Sequence, residues 1–388
     1  MKKLTIGLFN DSFPPMIDGV GSVVDNYARR LTKYCNVVVF VPKYKEEFDD
    51  SKLPYKVVRC KSRKFPFIDY SLPLPLLDKN FRKEIKNSNL DLIHIHSPFS
   101  IGKYGVYFAK KNKIPVIGTI HSQFKQDFRR AVKLEEVTEL LTKKIIKVYN
   151  NCDKCYAVNK GMAELYYNEY GLNRLPEVLN NATEFCYVKN KSKDIDLINK
   201  KHNIKKDEKV FLFVGRINKL KNVFFIIDSL KILNKKKLKY NYKMLFVGDG
   251  QDILELKHYV KKNKLEDKVI FVGEVKNRNL LKSYYVRSDL FLFPSLYDAS
   301  SIVQIEAASQ KVPTIFLKGS KTSSDITDRV DGFIAKDKED FANVINEAMS
   351  NNKLYKEVSE NVYKRVYKNW DKIIEDVYNI YESIIRGD

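Results

Sequence analysis

An arginine and a lysine stand in the segment Gly215-Arg216-Ile217-Asn218-Lys219-Leu220-Lys221-Asn222, directly after the apolar run Val210–Val214. Two fixed cations on a strand-to-helix turn can clamp a diphosphate and stabilise its charge as it leaves. A solvated basic loop has the same composition. Arg216 is the harder of the two to assign to solvation, because it follows the strand directly and its planar guanidinium suits bidentate recognition of oxyanions. Further on, the run Leu290–Phe293 leads into Pro294-Ser295-Leu296-Tyr297-Asp298, and Glu306 follows with acid-x7-Glu spacing. That spacing carries Glu306 about two helical turns along, onto a similar face. Two carboxylates so placed can accept hydrogen bonds from sugar or ribose hydroxyls. Asp298 alone could equally cap a helix. Glu306 sits on an otherwise apolar helix face and needs a partner there.

In the first half of the chain, Gly19-Val20-Gly21 opens a helix after the run Leu4–Phe9. Glycines at such a point let backbone N–H groups approach a phosphate, which the helix dipole favours. A tight strand-to-helix turn has the same signature. The run Val116–Thr119 is followed by Ile120-His121-Ser122, so His121 stands at a strand's carboxyl end, fit either for a ligand or for the core. No metal cluster stands out. Cys152-Asp153-Lys154-Cys155 has no second ligand pair after it and reads as packing. His94 and His96 share one face of a strand without nearby acidic or Cys partners, which points to the core or a cleft wall.

These residues need elements to place them. Short apolar runs alternate with amphipathic stretches, as in buried parallel sheets with crossover helices. Strands are predicted at Leu4–Phe9, Val37–Val41, Tyr55–Arg59, Leu92–His96, Val116–Thr119 and Cys155–Val158. The pattern pauses over the polar stretch Tyr187–Lys206. It resumes with strands at Val210–Val214, Lys243–Val247, Val269–Val272, Leu290–Phe293 and Thr314–Phe316. The candidate residues follow these strands, where ligands bind in open α/β sheets. The tail Leu354–Ile385 reads as helical and carries Trp370, the single tryptophan.

The chain's 388 residues suit two domains. A content of 44% hydrophobic and 30% charged residues is globular. Five irregularly spaced cysteines argue against a disulfide framework. The first apolar run is too short for a signal peptide, and no stretch is long and apolar enough to cross a bilayer, so a cytoplasmic location is expected. Lys plus Arg number 70 against 48 Asp plus Glu, a net charge of +22. Such a surplus attracts anionic partners, although a lysine-rich codon bias accounts for it equally well. Arg59-Cys60-Lys61-Ser62-Arg63-Lys64-Phe65-Pro66-Phe67 and an amphipathic basic helix at Leu76–Lys86 suit an anionic membrane surface. No nucleic-acid recognition motif is present, and no nucleic-acid partner is expected.

Together the pieces resemble family 4 of the retaining glycosyltransferases, which have the GT-B fold. The resemblance runs from Leu4 to about Ile385. It rests on the glycine loop at Gly19–Gly21, a Gly-Arg-x4-Lys loop at Gly215, Arg216 and Lys221, and acid-x7-Glu at Asp298 and Glu306. Ile93–Phe99, Ile114–Val116 with His121, and Val247-Gly248-Asp249-Gly250 are similar too. The sequence departs from the family in having Asp298 where Glu is usual, Ser300-Ser301 where Phe-Gly is usual, and Asn181-Ala182 where Asn-Gly is usual.

The resemblance implies an α/β protein with two Rossmann-like domains facing each other across a cleft. Residues 1–190 would form the acceptor domain, 191–369 the nucleotide-sugar domain, and 370–388 a helix crossing back to the first. It implies that Arg216 and Lys221 hold the donor diphosphate, helped by Gly19, Val20 and Gly21. Glu306 would bind the ribose, Asp298 the transferred sugar, and His121 would lie beside sugar and acceptor. Glu274 and Val275 would line the base pocket, and Gly248 with the amides near Ser301, Ile302 and Val303 would face the donor. The expected activity is transfer of a sugar, with retention, from a nucleotide sugar, UDP-linked by preference, to a membrane lipid or envelope glycan. The nucleotide sugar is a substrate, and neither cofactor nor metal is expected. The enzyme would be cytoplasmic or peripheral on the inner membrane face. The alternatives are a nucleotide-sugar epimerase of the same architecture and a basic nucleic-acid-binding protein.

Overall fold

The structure, a computed structural model, describes residues 3–16, 18–46, 48–64 and 71–387. The chain divides into two units, Met1–Asn181 with Trp370–Asp388 and Ala182–Asn369. The break therefore precedes the boundary at 190 expected from sequence. Hydrogen bonding is the reason: Gln310 of the second unit donates to the Cys186 carbonyl at 2.9 Å and accepts from the Val188 amide at 3.1 Å. The polar stretch is not a bare linker either, since it carries the helix Ser192–His202.

The first unit contains a seven-stranded parallel sheet in the order Lys56–Cys60, Asn36–Pro42, Thr5–Phe9, Leu92–Ile95, Val116–Ile120, Lys154–Ala157, Glu177–Val178. Helices cover its faces, so the central strands are buried on both sides; every residue of Leu92–Ile95 and of Val116–Ile120 is buried. The helix Trp370–Arg386 belongs to this unit. Trp370 is 1% exposed and meets the Tyr27 ring edge-on at 5.7 Å. Lys33 binds Asp371 at 2.8 Å and Tyr34 stacks on Tyr378.

The second unit holds a six-stranded parallel sheet in the order Val269–Gly273, Tyr242–Val247, Lys209–Val214, Leu290–Phe293, Thr314–Leu317, Phe333–Ala335. Its core is aromatic, with Phe213 stacked on Phe293 and Phe291 on Phe293. In both sheets the chain reverses the direction in which strands are added. The reversal falls between Thr5–Phe9 and Leu92–Ile95 in one and between Lys209–Val214 and Leu290–Phe293 in the other. Two diverging crossovers leave a crevice at the carboxyl ends of such a strand pair.

Some expected elements differ. The tail is not one helix: Asn352–Asn361 runs into a π-helical turn at Val362–Val366, and the chain is extended before Trp370, where the Lys368 carbonyl accepts from the Thr183 amide at 3.0 Å. The basic helix spans Lys79–Asn87 rather than Leu76–Lys86. Asp78 sets its start by accepting from the Phe81 amide at 3.1 Å while its other oxygen accepts from the Lys61 amide at 2.8 Å. The short antiparallel pair Ser62–Lys64 and Ser71–Pro73, and the edge strands Glu177–Val178 and Phe333–Ala335, were not expected. They are too short for their periodicity to register.

Candidate active site

In the second unit the Arg216 loop is pinned by main-chain contacts that require glycine. Gly215 donates to the Val247 carbonyl at 3.0 Å, Ile217 to the Asp249 carbonyl at 2.9 Å, and Gly248 to the Gly273 carbonyl at 2.8 Å. Gly248 has φ +135, and a Cβ there would lie 2.0 Å from the Gly215 carbonyl oxygen. The glycine expected to face a donor thus also lets two strand ends touch. Gly248→Ala is expected to strain both loops by about 2–4 kcal/mol. The second unit should then melt about 5–10 °C lower. An unchanged melting curve would mean that the loops are not locked together.

The Asn218 carboxamide oxygen accepts from the Lys221 amide at 3.1 Å and closes the turn. Asn222 adopts φ +57, and its side-chain amide donates to the Pro294 carbonyl at 3.2 Å, joining this turn to the loop that carries Asp298. Lys221 Nζ forms an ion pair with Asp298 Oδ1, the two side chains being 20% and 15% exposed. Arg216 is exposed, and among the described residues it has no ion-pair or hydrogen-bond partner. The crossover of the second sheet therefore presents an unneutralised guanidinium beside a neutralised Lys–Asp pair.

The helix Ile302–Ser309 follows. Its N-cap Ser301 makes no side-chain capping bond, which leaves the helix start open to an anion. Val303 is half-buried against the core. Glu274 is exposed with Lys276 3.7 Å away, and Val275 is half-buried just after Gly273, whose φ is +83.

Glu306 is 2% exposed. Its needed partners are Arg278, whose Nη2 donates to Oε1 at 2.5 Å, and Tyr285, whose hydroxyl donates to Oε2 at 2.7 Å. Burial pushes the Glu306 carboxyl above the usual range, and the Arg278 charge and hydrogen bond act against that shift. Arg278 and Tyr285 were missed by sequence reading. The only signal was the rule that a buried carboxylate must be paired, and this rule does not name the partner.

In the first unit the glycine loop differs from expectation. Asp18 caps the helix Gly19–Leu31 by accepting from the Gly21 amide at 2.8 Å. Gly21 is buried against Phe13, so its amide is committed to the cap and only the start of the loop, at exposed Gly19 and half-buried Val20, remains for a phosphate. His121 follows Val116–Ile120 and is 9% exposed. Its Nε2 lies 3.1 Å from His96 Nδ1. The His96 ring packs 4.0 Å from that of His94, which bridges Thr119 Oγ1 at 2.7 Å and the Tyr381 hydroxyl at 2.6 Å. Burial pushes His94 and His121 down to about 3 and His96 well below its usual value. All three rings are neutral at physiological pH, so His121 can exchange hydrogen bonds but is no proton-loaded acid. Asp11, just past the end of the first strand, accepts from Ser97 Oγ at 2.7 Å and the Ile101 amide at 2.8 Å and so seats the helix Ser100–Asn112. Among the described residues no group of His, Cys, Asp or Glu is arranged to hold a metal. Cys152 and Cys155 are free thiols.

Residues 17–184 match the model for Glycosyltransferase Family 4, and residues 194–365 that for Glycosyl transferases group 1. The chain belongs to the family 4 glycosyltransferases and is a glycosyltransferase enzyme. It is 24% identical over 411 residues to an alpha-monoglucosyldiacylglycerol synthase of Streptococcus pneumoniae, covering 99% of this chain and 89% of that one. It is 27% identical to an alpha-monoglucosyldiacylglycerol synthase of Acholeplasma laidlawii, covering 80% of each. Anabaena HepE in complex with UDP superposes with a TM-score of 0.77 at 15% identity, over 98% of this chain and 100% of that one. These likenesses place the fold as GT-B.

Proposed function

We propose that the protein is a retaining hexosyltransferase that moves a sugar from a UDP-sugar to a membrane lipid or a cell-envelope glycan. The observation that carries this reading is the Lys221–Asp298 ion pair at the crossover of the second sheet, with exposed Arg216 on the same loop as Lys221. Arg216 and Lys221 compensate the diphosphate as its charge grows, the role a divalent metal would otherwise fill, so the reading needs no metal. Glu306 takes the ribose hydroxyls, and Glu274 and Val275 flank the base. The open helix start at Ser301, Ile302 and Val303 and the exposed beginning of the Gly19 loop add backbone donors. Asp298 takes hydroxyls of the sugar, and neutral His121 contributes a hydrogen bond near the acceptor. The bond from the anomeric carbon to the diphosphate oxygen breaks, and a bond from the acceptor oxygen forms on the same face. The acceptor's proton passes to the departing phosphate oxygen, which explains why the site needs no separate base. The names of the two synthases support a diacylglycerol-type lipid acceptor, and the UDP complex of HepE supports the base.

A lipid acceptor requires a membrane surface. Among the described residues no helix is long and apolar enough to cross one. Support for peripheral docking comes from exposed Leu72, Leu76 and Leu77, at 42%, 65% and 76%. Arg63 lies opposite Leu72 on the neighbouring strand, and Lys79 and Lys83 follow on the next helix. A cavity lined by Lys43, Lys45, Lys61 and Lys64 adds positive charge on the same unit. Phe65, Pro66 and Phe67 lie outside the described residues. Each Lys or Arg near an anionic surface adds about 1 kcal/mol of attraction.

The test is incubation with UDP-glucose and diacylglycerol in anionic or neutral vesicles. The α-configured glucolipid is expected from the anomeric coupling constant, formed faster on anionic vesicles. Co-sedimentation should fade as salt rises. A β-configured product would overturn retention. Equal binding to both vesicle types, or none to either, would overturn the membrane reading.

A further inference from the structure

The surroundings of Glu306 form a built arrangement that the transfer chemistry by itself does not call for. Arg278 begins the helix Arg278–Arg287, and Tyr285 lies on that same helix. The Arg278 guanidinium sits 4.4 Å from the centroid of the Phe185 ring, and its Nε donates to Glu184 Oε1 at 2.7 Å while Nη2 reaches Glu306. The Arg278 side chain is 46% exposed, whereas that of Glu306 is 3% exposed. A half-exposed cation is thus clamped on an aromatic face and a second acid, with its far edge on a buried carboxylate.

We propose that Arg278 is a positioning residue for the nucleotide: held by Glu184 and Phe185, it keeps the Glu306 carboxylate ionised and oriented to receive the ribose diol of a nucleoside diphosphate. This rests on the reading of Glu306 as the ribose acceptor. A carboxylate offers about four lone-pair sites. Arg278 and Tyr285 occupy one on each oxygen, which leaves one on each for a hydroxyl. Hydrogen bonds to a charged acceptor are roughly twice as strong as those between neutral groups. A protonated Glu306 would lose both the charge and an accepting site.

The charged and titratable groups that face Glu306 are Arg278 and Tyr285 from one helix and Glu184 from the segment before Phe185. Burial and Glu184 both favour the protonated form, Arg278 favours the ionised form most, and the Tyr285 hydrogen bond adds to it. With Arg278 removed, the remaining acid and the burial act together, and the carboxyl takes up a proton at higher pH. Affinity that depends on the carboxylate is present above that raised pKa and is lost as pH falls through it.

The experiment is calorimetric titration of UDP at pH 6 and pH 8 into wild type, R278Q, R278K and E306Q, each checked for a native melting curve. Affinities are read as ratios to wild type at the same pH, which cancels the titration of the UDP phosphate. The R278Q ratio is expected to worsen as pH falls from 8 to 6, by up to about tenfold per pH unit where the carboxyl takes up its proton. R278K keeps a cation beside the carboxylate and should hold an almost constant ratio. E306Q should bind weakly at both pH values with a constant ratio. If E306Q is weak while the R278Q ratio stays constant, the role of Arg278 is overturned. Should E306Q instead bind UDP as tightly as wild type, the ribose reading of Glu306 itself is overturned.

Discussion

Arg216→Ala is expected to lower kcat for sugar transfer by about a thousandfold, with little change in melting temperature. The guanidinium stands directly after Lys209–Val214, at the crossover of the second sheet. It is exposed and has no ion-pair or hydrogen-bond partner among the described residues, so removing it breaks no such bond there. Its whole effect should fall on the charge that develops as the diphosphate departs. Loss of one preorganised donor to such a charge costs about 3–4 kcal/mol of transition-state stabilisation. Arg216→Lys keeps the charge but loses the planar fork, and an intermediate loss of about 10–100-fold is expected. Steady-state kinetics on variants with native melting curves decide the matter. Near wild-type turnover in Arg216→Ala would remove this residue from the site.

Lys221 and Asp298 should behave as a unit. Each single change to alanine is expected to lower kcat/KM by about a hundredfold or more, and the double variant should be little worse than either. The reason is their ion pair, which lies at a crossover where both side chains are largely shielded from water. Removing Asp298 frees the Lys221 ammonium from its anchor, and removing Lys221 takes the cation away from a shielded carboxylate oxygen, Asp298 Oδ1. Leaving one member of a shielded pair alone costs about 1–3 kcal/mol. In contrast to Arg216→Ala, these single variants should therefore also melt lower. Asp298→Asn keeps the shape and an accepting oxygen, so its stability loss should be smaller than that of Asp298→Ala. The measurement is a double-mutant cycle on kcat/KM and on melting. Additive losses in kcat/KM would show that the two residues act separately.

Much of this was legible because buried parallel strands write themselves plainly into sequence. All the strands expected from apolar runs are present, displaced by about one residue at an end. Once the strands are placed, the residues just beyond their carboxyl ends are placed too, and the positions of Arg216, Asp298 and His121 were read in this way. The glycine loop was read less well. The backbone of Gly19–Gly21 was expected to approach a phosphate, but Asp18 takes the Gly21 amide, since a local side chain competes with any ligand for the first amides of a helix. The helix start at Lys79 was likewise decided by a cap, Asp78, whose second oxygen reaches the Lys61 amide.

By itself the sequence determined the alternation of strands and helices, the positions of the cations and carboxylates at strand ends, and the family to which the chain belongs. All of these are local properties, carried by period, spacing and motif. The tertiary structure alone decided the order of strands in each sheet, and hence that Lys221 meets Asp298 across the crossover of the second. It also decided that Glu306 is held by Arg278 and Tyr285, with Glu184 and Phe185 behind the guanidinium. It placed the division of the chain at Asn181 and Ala182 and returned Trp370–Arg386 to the first unit. Contacts of that kind join residues far apart in the chain, and no periodicity records them. Burial then sets their chemistry, because a carboxylate or imidazole withdrawn from water takes its charge state from whatever the fold packs beside it.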